Sequence, residues 1–95
     1  MPQFTVRVEL HEAKWGDYDT LHAAMAKKGF SRVIVADDRR TFHLPWAEYD
    51  GAADLTSMQV LEIAKIAAKE TGRRNAILVT ESKSRAWFGL QPAST

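Results

Sequence analysis

Phe4-Thr5-Val6-Arg7-Val8-Glu9-Leu10-His11 alternates apolar and polar side chains with the two-residue period of a half-buried strand. The period then changes. Trp15, Tyr18, Leu21 and Met25 recur at helical spacing, which predicts a helix from Trp15 to Lys28 with those four as its buried stripe. Gly29 supplies the left-handed position that ends it, and Lys27 and Lys28 suit the negative end of the helix dipole. Phe30 to Ala36, rich in β-branched residues, predicts a second strand. Asp37-Asp38-Arg39-Arg40 reads as a turn with internal ion pairs, and Thr41 to Trp46 as a third strand that ends where Pro45 has no N–H to donate.

Residues 47–54 read as a loop. Thr56 and Gln59 then form a T-x-x-Q capping box, with Leu55 and Val60 placed for a hydrophobic staple across it. Val60, Ile63, Ala64 and Ala67 give the buried face of this second helix, and Gly72 ends it. Ala76 to Glu81 is a fourth strand. Ser82-Lys83-Ser84 suits a hairpin turn into a short fifth strand, Arg85 to Leu90, and the last five residues are expected to fray. Few small folds accept the order βαββαβ; the commonest is the split-βαβ, ferredoxin-like sandwich. The expectation is therefore one α+β domain with an antiparallel sheet, both helices on one face, and strands one and three central and adjacent. The opposite face would carry Thr5, Arg7, Glu9 and His11 beside Thr41 and His43.

Ninety-five residues suffice for one core and not for two. A formal charge of +1 is too small to hold nucleic acid by bulk electrostatics, so binding of that kind needs a local basic patch or a dimer, and no DNA partner is expected. The absence of cysteine excludes disulfides, thiolate catalysis and cysteine zinc sites together. No apolar run approaches the ~20 residues that span a bilayer, and Met1-Pro2-Gln3-Phe4 has no secretory-signal pattern. A cytoplasmic protein without a membrane partner is the expectation. Glycine-rich phosphate loops, dinucleotide fingerprints and nucleophile elbows are missing too, so no cofactor is expected.

Three groups of side chains have chemical potential. Glu9, His11 and His43 can supply a general base and a general acid, and Arg7 can hold a phosphate; RNA cleavage by its own 2′-hydroxyl needs those parts. The same residues also suit a solvated or dimer-facing sheet surface. His11 with Glu12, or Asp37 with Asp38, offers oxygen and nitrogen atoms to a metal. Neighbours on a strand point opposite ways, however, and Asp-Asp before Arg-Arg is good turn composition, so no metal is expected. Arg39, Arg40 and Arg85, with Trp87 close by, resemble the cation-and-aromatic pairing that cradles phosphate and stacks bases in single-stranded RNA, although edge-strand packing uses the same residues. His22, Trp15 and Trp46 read as boundary or rim residues.

The blocks F-T-V-R-V-E-L, A-D-D-R-R-T-F-H-L-P, A-E-Y-D and A-I-L-V-T-E-S resemble, in order and spacing, the GhoS-type endoribonuclease antitoxins of type V toxin–antitoxin systems. The resemblance runs from Phe4 to about Leu90. It implies a ferredoxin-like fold similar to the small CRISPR-associated nucleases, and an enzyme that cuts the messenger RNA of a membrane-active toxin. On that reading the partner is single-stranded mRNA and the protein a homodimer. Glu9 or Glu12 would stand where the CRISPR-associated relatives carry a carboxylate at the end of strand one. The reading of a different class is a non-catalytic protein-interaction or dimerisation module, and a ligand-binding regulatory domain is a third.

Overall fold

The computed structural model describes residues 1–93. Its elements are β1 (Gln3–Leu10), α1 (Trp15–Lys27), β2 (Val33–Val35), β3 (Thr41–His43), β4 (Glu48–Ala52), α2 (Ser57–Lys69) and β5 (Asn75–Ser82). The fold is α+β and ferredoxin-like, with two helices against one face of an antiparallel sheet ordered β4-β1-β5. Phe4, Val6, Val8 and Leu10 point to the helices, as the alternation in β1 predicts, and meet Leu21, Ala24 and Met25 of α1 and Val60, Ala64, Ala67 and Ala68 of α2. The alanines let α2 lie close to the sheet, while Ile77 and Val79 of β5 close the side of the core.

The helix ends follow their sequence signals. The Thr56 hydroxyl accepts from the Gln59 amide, and the Thr56 amide donates to the Gln59 side chain, completing the capping box. Gly29, at φ 91°, closes α1 in a Schellman motif: the Gly29 amide donates to the Ala26 carbonyl and the Phe30 amide to that of Met25. The charged turn is also as expected, with Arg40 Nε 2.7 Å from Asp38.

Several expectations are corrected. The partner of β1 is not the strand at Thr41 but β4, which lies inside the stretch read as a loop; Thr5 pairs with Asp50 and Arg7 with Glu48. β3 instead pairs with β2 in a separate two-stranded sheet, Val33 opposite His43. The chain leaves the main sheet early. Ser31 makes a single bridge to Asp50, taking the place of a fourth strand, and two residues later β2 belongs to the second sheet.

Arg85 to Leu90 forms no strand, because Arg85 is drawn onto Asp50 and Gly89 turns the chain at φ 80°. Of the last five residues, 91–93 are held: the His43 amide donates to the Gln91 carbonyl at 2.8 Å and the Ala93 amide to that of Thr41 at 2.9 Å. The expected fraying of 94–95 falls outside the described residues. Finally, Trp15 is not buried. It stands 75% exposed at the first position of α1, and the helix buries Ala24 in its stead.

Candidate functional site

The open face of the sheet presents Gln3, Thr5, Arg7 and Glu9 from β1, flanked by Glu48 and Asp50 on β4 and by Ala76, Leu78 and Thr80 on β5. Its two ends differ chemically. Along a strand, Gln3 and Glu9 are about 20 Å apart at ~3.3 Å per residue.

At the Glu9 end, His11, in the turn directly after β1, brings its Nε2 to 3.6 Å from Glu9 Oε1. The His11 amide donates to the Arg74 carbonyl at 2.8 Å, which fixes the turn after β1. Arg7 reaches Glu48 at 3.5 Å. A cleft of about 410 Å³ runs beside them, lined by Arg7, Glu9, Tyr18, Trp46, Glu48 and Leu78 among others. His43 is not part of this group. It sits on β3 in the second sheet, with no place on either strand that flanks β1. The base-and-acid geometry expected from Glu9 and His43 is therefore replaced by Glu9 and His11.

At the other end, Asp50 is 6% exposed and accepts from Gln3 Nε2 at 2.9 Å, from Thr5 Oγ1 at 3.4 Å and from Arg85 at 2.5 Å. Arg85 also donates to the Val35 carbonyl at 3.5 Å, so this guanidinium joins the two sheets. Trp87 packs against Phe42, and Arg40 lies over the same ring. The structure thus gathers Arg40, Arg85 and Trp87 around the second sheet. Arg39 is exposed in the adjoining turn at φ 71°. Arg85 and Arg40 are both engaged by carboxylates, and this group lies at the far end of β1 from Glu9. Among the described residues, no three histidine or carboxylate side chains converge as a metal-ligand set.

Sequence reading missed an aromatic assembly beside the Glu9 cleft. Trp46 meets Trp15 edge-on at 5.5 Å between ring centroids, Tyr18 at 5.6 Å and the His22 ring at 4.9 Å, with the Arg32 guanidinium 4.8 Å from its own centroid. Pro45 ends β3, and Ala47, at φ 63°, swings the chain into β4, leaving Trp46 on the outside of the turn and 47% exposed. The L-P-W-A run was the available turn signal. Trp15 gave none, since its spacing matches a buried stripe equally well.

Beneath Trp46, His22 Nδ1 and the Tyr49 hydroxyl are 2.7 Å apart. Burial pushes the Tyr49 phenol well above its usual range, so it stays protonated and one proton is shared between its oxygen and Nδ1, the direction set by the His22 tautomer. His22 Nε2 is buried without a partner, as is Arg32 Nε. Burial first, and the Arg32 charge second, hold the His22 pKa below its ordinary 6.5, with Asp19 opposing. The consequence for stability has a definite sign. Above about pH 6.5 the imidazole is neutral in folded and unfolded chains alike. Below it the unfolded chain takes up a proton that the folded protein resists, so stability falls until the folded-state pKa is passed. Urea midpoints should hold level above pH 7 and decline below 6.5, and His22→Gln should flatten that decline.

The sequence matches no protein-family model and no curated protein. In the described residues, no helix is long and apolar enough to cross a membrane.

Proposed function

We propose that the protein is a small endoribonuclease acting on single-stranded RNA, with Glu9 and His11 as its acid–base pair. The observation that supports this most is their 3.6 Å approach beside a cleft that is lined by Glu9, Arg7 and the exposed Trp46. Cleavage needs one group to take the proton of a ribose 2′-hydroxyl as that oxygen attacks the adjacent phosphorus. A second group protonates the 5′-oxygen as its bond to phosphorus breaks, leaving a 2′,3′-cyclic phosphate. Glu9 fits the first role and His11 the second. Arg7, released from Glu48, fits the developing charge on the phosphate. By the resemblance of its sequence blocks, the transcript cut is that of a toxin and the protein works as a homodimer in the cytoplasm.

Incubation with a mixed pool of labelled single-stranded RNAs should give discrete products, with and without chelator. Glu9→Gln and His11→Ala should each lower the rate by at least about 100-fold, whereas His43→Ala should leave it unchanged. Intact RNA with the wild-type protein, or full activity in both variants, rejects the assignment.

One observation favours a second reading, a protein-interaction or dimerisation module. β5 has eight residues, forms an edge of the main sheet and carries a 55% exposed Leu78. Tight self-association in sedimentation without any RNA cleavage would select it.

A further inference from the structure

Trp15 and Trp46, 75% and 47% exposed, leave aromatic surface in water side by side at one corner. Ala13, Lys14, Trp15, Tyr18 and Trp46 line a second cavity there, of about 600 Å³ and without a carboxylate in its lining. It adjoins the Glu9 cleft, since Tyr18 and Trp46 form part of both walls. One cation, Lys14, lines it and a second, Arg32, lies against Trp46; among the described residues neither has a carboxylate within ion-pair distance.

We propose that this corner is a seat for one unpaired nucleobase, set so that the neighbouring phosphodiester falls over Arg7 and Glu9. The proposal rests on the ribonuclease reading in taking RNA as the ligand, and it adds which part of the molecule grips the strand. A base has flat faces to lay against the exposed Trp15 ring, and its flanking phosphates suit Lys14 and Arg32. Paired bases are stacked within a helix and cannot enter, so the seat makes the protein read single strands. Trp46, shared by both cavities, separates the base from the bond to be cut.

The test uses a single-stranded oligoribonucleotide made uncleavable by 2′-O-methylation throughout, titrated into the 95-residue protein while tryptophan emission is followed. The wild type should show saturable quenching. Trp15→Ala should weaken binding about tenfold, the loss of one stacked base. Lys14→Ala should weaken it less and reduce the dependence on salt by about one ion. Circular dichroism should show the Trp15 variant folded, as the 75% exposure of that side chain leads one to expect.

Unchanged affinity in Trp15→Ala, equal binding of the same sequence as a duplex, or no binding at all overturns the seat. So does an emission change with phosphatidylcholine–phosphatidylglycerol vesicles and none with the oligomer. Failure of the catalytic reading appears separately, as wild-type protein that binds the methylated strand by Trp15 yet leaves the unmethylated one intact.

Discussion

Arg85→Ala will lower the unfolding free energy by about 3 kcal/mol, the low end of what breaking a buried ion pair costs. The low end applies because water still reaches 23% of the Arg85 side chain, while only 5% of that of Asp50 is exposed. Without the guanidinium, Asp50 is a carboxylate in the interior with only Gln3 at 2.9 Å and Thr5 at 3.4 Å to offset its lost hydration. The damage will also be local. Arg85 donates to the Val35 carbonyl, and the chain beyond it carries Trp87 onto Phe42 and residues 91–93 onto β3. Urea denaturation should show the loss, and hydrogen exchange should show protection falling first in β2, β3 and the C-terminal segment. Adding Asp50→Asn to Arg85→Ala should recover part of the loss, because the unpaired charge is then gone. A shift below about 1 kcal/mol would mean that the pair is solvated like a surface contact.

The second large effect is steric. A Cβ on residue 51 would lie 2.6 Å from the Gly29 carbonyl oxygen and 2.7 Å from a ring carbon of Phe30. Neither neighbour can move away cheaply. Gly29 is fixed by the Schellman motif that ends α1, and Phe30 is 2% exposed within the core. Gly51→Ala should therefore cost about 3 kcal/mol, the upper part of the overpacking range. In a domain of this size that lowers the melting temperature by roughly 15 °C. Phe30→Leu in the same chain removes the ring contact and not the carbonyl contact, so it should restore only a fraction.

These two positions also show where reading from sequence stops. β1 and α2 were legible because their signals are internal: alternation fixes which side of β1 is buried, and the capping box needs only Thr56 and Gln59. β4 was not. Its residues Glu48-Tyr49-Asp50-Gly51-Ala52 include Asp and Gly, which weaken any strand assignment. Both are there because of distant partners, Arg85 for the one and the close approach of Gly29 and Phe30 for the other. Missing β4 then misplaced β3 beside β1 and brought His43 to Glu9. Glu9 and His11 do lie together, since they are two residues apart where β1 runs into its turn and their approach needs no neighbouring strand. Trp15 and Trp46 went unnoticed as a pair because their meeting depends on the turn at Ala47.

The central strand has a consequence for biosynthesis. Gln3 of β1 finds its β5 partner in Ser82, and Leu10 in Asn75. One side of β1 therefore stays bare on the ribosome until β5 has been made, while α1 and its glycine stop precede it. Pairing of β1 with β5 must follow its pairing with β4, and a nascent chain paused before β5 would expose a strand edge to any neighbour able to add to it.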